Sequence, residues 1–463
     1  LIASRSLVLF YDSRTQSPND LNVLRSMLHN GGRTESNTNE SYSASADGSV
    51  WDLPAGPIRL AVGGEYRIER ARTTQAVPDD PRFNLSLVGN FRRAVESAFA
   101  ETRVPIVSEK QRLPLLHSLE LSAAARYDTY SDIGGHISPG YGLIWRPVKW
   151  ALVRASRNYA FRAPGLQALY RPVTNGGLTI FGFSIPTRDP QRGGTPLPLG
   201  SYTSLIGGNL DLKPEKSISD NVGIVIESPF ELLKGLSFSV DYQVLDYTDR
   251  LQNPLFNIQQ IFDFFPDRIT RGANLPGDLP GWAGVPTLID VRTVNIAKLE
   301  IQAVDYQVGY HRVTPWGTLD ARVALTDYLK YLATSVPGTA PVSTLYQFPT
   351  RLSWQAYLTK GPYGFGVSGF YQEKQYLDLT YTTPRFRSAV EWNAQLAYDF
   401  DRRTDAAGRN DTRLKRWLFA GTKLSLTVNN VFDREPPHIE GNAGFAVTDP
   451  RMARYVLTLR KAF

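Results

Sequence analysis

Arg451-Met452-Ala453-Arg454-Tyr455-Val456-Leu457-Thr458-Leu459-Arg460-Lys461-Ala462-Phe463 closes the chain, and its reading decides the fold. Tyr455, Leu457, Leu459 and Phe463 fall on one face of an extended strand, and Thr458, Arg460 and Ala462 on the other. The last residues of a soluble domain are usually frayed and polar, because nothing ties them down. Here they form an apolar anchor. Two folds use such an ending. One is a transmembrane β-barrel, whose last strand pairs with its first so that no edge stands open in lipid. The other is a soluble sandwich with a C-terminal edge strand.

The same period of two recurs upstream. Between Ile58 and Ile68 the even positions are Ile58, Leu60, Val62, Gly64, Tyr66 and Ile68, and the odd ones Arg59, Ala61, Gly63, Glu65 and Arg67. Leu119, Leu121, Ala123, Ala125 and Tyr127 alternate with Glu120, Ser122, Arg126 and Asp128. Leu236 to Val244, Val304 to Tyr310, Leu319 to Leu325 and Leu424 to Val428 repeat the pattern. Full charges recur on the second face, so that face is wet. In a sandwich it points outward, in a barrel into the lumen, and alternation alone does not separate the two.

Composition narrows the choice. Charged residues make up 21% and mean hydropathy is -0.26, with no apolar run long enough for a membrane-spanning helix. Twenty-three Tyr against 2 Met favours strands over helices. No cysteine is present, which excludes disulfides, cysteine-ligated zinc and a thiol nucleophile. The net charge of +7 is spread among interleaved acids, so it reads as solvated loops and a polar lumen, and no nucleic-acid partner is expected. Leu1 is not an initiator Met and no signal peptide follows it, so the chain reads as a piece of a longer precursor.

Connection lengths favour the barrel. About fifteen strands are expected, joined by alternately short and long links. Pro54-Ala55-Gly56, Arg146 to Lys149, Thr314 to Gly317 and Lys360 to Tyr363 are tight turns. The segments 72–89, 162–216, 251–294, 331–347, 377–387 and 432–450 are long. Two links break the scheme: 131–135 is short and 401–416 long. Short periplasmic turns and long outer loops are the layout of outer-membrane barrels. Trp51, Trp145, Trp150, Trp316 and Trp417 lie near the short-turn side, where an interfacial aromatic belt belongs. Residues 1–40 read as an outer loop with a short helix over Leu21 to Leu28, and residues 41–463 as barrel.

Three stretches resemble the TonB-dependent receptors of Gram-negative outer membranes. Phe161-Arg162-Ala163-Pro164 is similar to the segment where a strand of that family leaves the membrane into a large loop. Leu212-Lys213-Pro214-Glu215 is similar to its motif at the start of the next strand. Asn430, Phe432 and Asp433, followed by the closing strand to Phe463, are similar to its C-terminal signature. The resemblance implies a barrel of 22 strands around a plug. Counting back from a periplasmic C-terminus makes the first strand here, from Ser41 to Leu53, run downward. Roughly seven strands, the plug and the TonB box would then precede this chain. The resemblance further implies a receptor in the outer membrane that imports a siderophore, cobalamin or oligosaccharide with energy from TonB, ExbB and ExbD. Lipid and the barrel-assembly machinery, which reads the C-terminal strand, are its other implied partners.

Candidate ligand contacts fall in the loop between Arg162 and Lys216: Arg162, Tyr170, Phe181, Phe183 and Tyr202. Aromatic rings stack on sugars or aromatic chelators, and Arg pairs with carboxylates. Arg59, Glu65, Arg67, Arg126, Asp128 and Arg154 are expected to line the lumen and meet the plug. Arg162 and Glu215 lie at the two ends of one loop, as an ion pair or as separate rim charges. No catalytic, metal or cofactor site is expected: the five His lack metal-site spacing, and Gly366-Val367-Ser368-Gly369-Phe370 lacks the last glycine of a nucleophile elbow. A passive porin-like or adhesive barrel and a soluble β-rich hydrolase are the competing readings.

Overall fold

The computed structural model describes the chain apart from residues 1–32, 76–88, 181–186, 198–199, 254–257, 337, 344–349, 377–383, 401–420, 436–451 and 463. One antiparallel sheet dominates it. Its fifteen strands follow the order of the chain, and a two-residue strand, Val342–Ser343, pairs to one side. They are β1 Arg33–Leu53, β2 Gly56–Gln75, β3 Gly89–Val107, β4 Ser118–Tyr130, β5 Gly134–Val148 and β6 Ala151–Arg162. A long loop holding β7 Thr174–Ile180 and β8 Gly200–Ile206 leads to β9 Glu215–Glu227 and β10 Leu236–Gln252. A second, holding β11 Ile269–Arg271 and β12 Pro286–Asp290, leads to β13 Val294–Thr314 and β14 Gly317–Thr334. β15 Arg351–Lys360, β16 Tyr363–Gln372, β17 Ala389–Asp399, β18 Thr422–Asn429 and β19 Arg454–Lys461 complete the path.

β1 begins at Arg33, eight residues before the expected Ser41, because Asn39 to Arg33 keep pairing with Glu69 to Gln75 of β2. The alternation that marks a strand in lipid is not needed where both faces are wet, so this polar extension carries no sequence signal. The expected helix over Leu21 to Leu28 lies outside the described residues. The tight turns lie where they were read: Leu53 faces Gly56, Val148 faces Ala151, Thr314 faces Gly317 and Lys360 faces Tyr363. β4 and β5 meet in a link only one residue longer, Tyr130 facing Gly134.

Among the described residues, no second layer covers the apolar rows. Leu457 is 70% exposed, Val222 53%, Val323 43% and Leu121 43%, and Tyr455 and Leu459 are exposed with them. In a sandwich these would be the core. Here the register carries them along one exposed face of the sheet, as hydrocarbon contact requires. Trp51, Trp150 and Trp316 are exposed near the short turns, as a belt predicts; Trp417 lies outside the described residues.

Candidate ligand-binding face

The opposite face of the sheet is a ladder of ion pairs. Glu65 accepts from Arg67 at 3.1 Å and from Arg126 at 2.7 Å, and Arg126 also reaches Asp128 at 2.8 Å and Ser97 at 2.8 Å. Arg67 continues to Glu69 at 3.0 Å, and Glu69 accepts from Arg93 at 2.7 Å. Residues two apart on one strand share a face and cross-strand partners face one another, so one network spans β2, β3 and β4. Further round, Arg154 of β6 grips Asp241 of β10 through two bonds of 2.8 and 2.6 Å, reaching across β9. The residue between them is Gly223, where a Cβ would lie 2.0 Å from an Asp241 carboxylate oxygen and 3.1 Å from Arg154 Nε. The glycine is what lets the bridge form. Arg59 lines a cleft on the same face with Asp47, Glu101 and Arg103.

At one rim this face is roofed by the two long loops, which fold as one unit. β11, β12, β8 and β7 form a four-stranded sheet in that order, two strands from each loop. Leu197, Ile261, Phe262, Ile269, Ile289 and Val291 are buried together beside it, with α2 Ile258–Phe264 contributing two of them. Two ion pairs cross between the loops. Arg271 holds Asp189 at 2.7 and 2.9 Å, and Arg192 holds Asp278 at 2.5 and 2.9 Å with Trp282 stacked 5.2 Å from the guanidinium. The Arg192 hydrogen bonds keep the Asp278 carboxyl below the usual carboxylate range. Burial alone would raise that of Asp290, but hydrogen bonds from Arg292 and Arg268 outweigh it and lower it.

The motif residues fasten these loops to the wall. Pro164 is fully buried, and its carbonyl accepts from Arg93 Nη1 at 2.8 Å. Phe161 packs on Tyr130 and His136, at 5.8 and 4.7 Å between ring centres. Arg162 and Glu215 do form an ion pair. Glu215 is 1% exposed and also accepts from the Leu251 N–H at 2.8 Å, so it joins the ends of β6, β9 and β10 where both loops leave the wall. Leu212 and Pro214 are buried, and the Lys213 backbone is clasped at both ends by the Asn295 amide at 2.8 Å. At the other motif, Asn430 and Asp433 adopt left-handed backbone angles, φ 51° and 49°, which Asn and Asp tolerate better than most residues. The Asn430 side chain bonds the Arg434 backbone at 2.7 and 3.0 Å, and Asp433 accepts from Ala453 N–H at 2.7 Å. Phe432 is exposed, and Phe463 lies outside the described residues.

Of the expected ligand contacts, Arg162 is engaged by Glu215. Tyr170, on α1 Leu166–Tyr170, donates to Asp132 at 3.2 Å and packs on Phe91, and burial pushes its hydroxyl pKa up. Tyr202 packs against the loop core, with the same effect. Phe181 and Phe183 lie outside the described residues. A group the sequence did not reveal gathers at the rim beneath the second loop: Tyr247, Arg250, Tyr328 and Tyr331. Arg250 lies 5.2 Å over the Tyr247 ring, and the two Tyr of β14 are 6.3 Å apart. Residues three apart on a strand face opposite ways. The register slips by one residue where Gln302 and Ala303 meet Lys330 and Tyr328, and this bulge returns Tyr331 to the face of Tyr328. A second bulge, with Asp249 at φ 55°, re-aims Arg250.

Residues 4–431 match the family model described as TonB dependent receptor-like, beta-barrel. The chain belongs to the TonB-dependent receptor barrel family. No curated protein matches it in sequence. Solved structures similar to it include the siderophore receptor PirA from Acinetobacter baumannii, with TM-score 0.59 and 14% identity over 92% of this chain and 55% of that one. The ferric enterobactin receptor PfeA from Pseudomonas aeruginosa gives 0.58 and 13% over 93% and 55%. The outer membrane transporter YddB from Escherichia coli gives 0.56 and 11% over 92% and 54%. This TonB-dependent receptor barrel thus spans about half the length of the solved relatives.

Proposed function

We propose that this chain is the greater part of the barrel of an outer-membrane receptor that captures a scarce solute on its loop-bearing rim and admits it to the periplasm with TonB-transduced energy. TonB, ExbB and ExbD supply the energy, and β1 and β19, the two ends of the described strand path, take further strands to close the wall. The barrel-assembly machinery takes β19 as its substrate, and outer-membrane lipid surrounds the finished barrel. One observation carries the reading: the apolar rows face outward uncovered while the charged rows face inward under a fused pair of long loops.

Among siderophore, cobalamin and oligosaccharide, the rim favours an anionic aromatic chelate of the siderophore kind. Tyr247, Tyr328 and Tyr331 bring aromatic rings to the rim, and Arg250 a guanidinium stacked on Tyr247. The solved relatives named as siderophore and ferric enterobactin receptors agree with that class. Arg162, Tyr170 and Tyr202 then serve by holding the loops in place, and Phe181 and Phe183 remain direct contacts in this proposal. Binding of ferric catecholate and hydroxamate chelates to the intact receptor, measured by tryptophan quenching, tests it. Arg250→Ala with Tyr331→Ala should weaken binding at least tenfold with the barrel intact. Equal binding by the double variant would remove this rim from the site. Steady single-channel conductance of the intact receptor without ligand would instead favour the passive porin.

A further inference from the structure

We propose that the inward face of β15 to β18 is the stretch of wall the solute passes on its way to the periplasm, with a station at Gln355, Tyr357, Ser368 and Gln395 for its uncharged ring and hydrogen-bonding groups. This second site rests on the receptor reading above and serves the same solute, nearer the short turns than the rim.

The inward rows differ around the sheet. On β2 to β4 every row from Arg59 to Glu69 holds at least one charge. On β15 to β18 two successive rows hold none. Tyr357, Gly366, Gln395 and Thr427 face one another in turn, and beside them so do Gln355, Ser368 and Asn393. Charge returns only on β14, where Asp320 and Arg322 stand across from Tyr357 and Gln355, with Asp320 already bonded to His311.

The neutral panel is also hollowed. A recess of about 370 Å³ opens on it. A Cβ at Gly364 would lie 2.1 Å from the Tyr357 hydroxyl oxygen, and one at Gly366 would lie 2.7 Å from Tyr357 Cδ2. Both glycines are buried beneath that ring. Tyr357 therefore lies along β16 with one face against glycine backbone, which leaves the other to the lumen. Gln355, Ser368, Gln395 and Thr427 line the recess, and their side chains have no hydrogen-bond partner among the described residues.

A ring surrounded by open amides and hydroxyls fits a part of the solute that has a flat face and amide or hydroxyl groups of its own. Passage needs a site that binds well enough to admit and weakly enough to release. Neutral hydrogen bonds meet that condition, because they exchange with water at a small net free energy. The rows of β2 to β4 offer less, since Glu65, Arg67, Arg126 and Asp128 are already engaged with one another.

Uptake of a radiolabelled ferric catecholate by cells carrying the intact receptor tests this, with Gln355→Ala/Gln395→Ala, Tyr357→Ala and Tyr357→Phe beside the wild type. The maximal uptake rate should fall about fivefold in the glutamine pair and in Tyr357→Ala. Tyr357→Phe keeps the ring and should stay near wild type. Affinity for the chelate at the rim should not change in any variant. A photoreactive residue at Ser368 should capture the chelate in cells with TonB and not in cells without it. Unchanged uptake by the glutamine pair overturns the proposal, as does the absence of capture in both kinds of cell. So does slower uptake accompanied by TonB-independent entry of a large antibiotic, because the panel would then be a seat for the plug. Wild-type import tests the receptor reading itself, so wild-type import matched by the glutamine pair is a failure of the station alone.

Discussion

The wall and the roof of this molecule solve the burial problem in opposite ways. The roof, made of the two long loops, has a conventional core: Ile261 and Ile289 are 0% exposed and Val291 2%. Among the described residues the wall has no comparable cluster, only single buried positions such as Val95. Its Leu, Val and Tyr rows lie uncovered on one side, and its charges are satisfied against one another on the other side. The roof is thus built for water and the wall for two solvents at once. Stability in the roof comes from packing, and in the wall from hydrogen-bonded pairing together with the correct solvent on each face.

Mutations should separate the two regimes. Ile289→Ala opens a cavity in the roof and should cost about 2–5 kcal/mol of its local stability. Hydrogen exchange should rise across β8, β11 and β12 while β2 to β5 stay protected. Val323→Arg places a cation on the outward row of β14 and should cost about 2–4 kcal/mol of wall stability in bilayers, seen as a lowered urea midpoint in lipid vesicles. The same change at inward Ala324 should be tolerated there, since that face is wet. Gly223→Ala forces Asp241 and Arg154 apart and should cost about 1–3 kcal/mol, read by the same unfolding assay.

The smallest effect expected is one of pH. Asp278 and Asp290 have folded-state pKa values below their ordinary value of 3.8. A depressed carboxyl stabilises the fold above its unfolded pKa, and the contribution disappears as pH falls through the lower, folded value. Roof protection factors, corrected for the intrinsic pH dependence of amide exchange, should therefore be flat from pH 7 to about 5 and fall only below about pH 4. Asp278→Asn should abolish part of that fall.

Much of the wall was legible, because alternation in β2, β4, β10, β13 and β14 is set by two solvents and so is written in residue type. The tight turns were legible for a related reason: Pro54, Pro315 and Pro362 stop ladder pairing. The extra length of β1 was hidden, since Glu35 to Glu40 are exposed on both faces and need no pattern. The roof was illegible as a unit, because its two halves are separated by β9 and β10 and its sheet pairs strands across that gap. At the rim, Tyr170 and Tyr202 have the composition of contacts but the packing of scaffold. Tyr328 and Tyr331 come together only through a bulge, and a bulge leaves no mark in a single sequence.

The central claim is that the apolar rows meet hydrocarbon while the charged rows meet water. Spin labels placed in the intact receptor in bilayers, at Leu121, Val222, Val323 and Leu426 in turn and then at Ser122, Asn221, Arg322 and Thr427, test it by collision with dissolved oxygen and with a water-soluble nickel chelate. The first set should favour oxygen and the second the chelate, alternating residue by residue along each strand. If the first set were shielded from both reagents, those rows would be packed against protein, and the membrane-barrel account would be wrong.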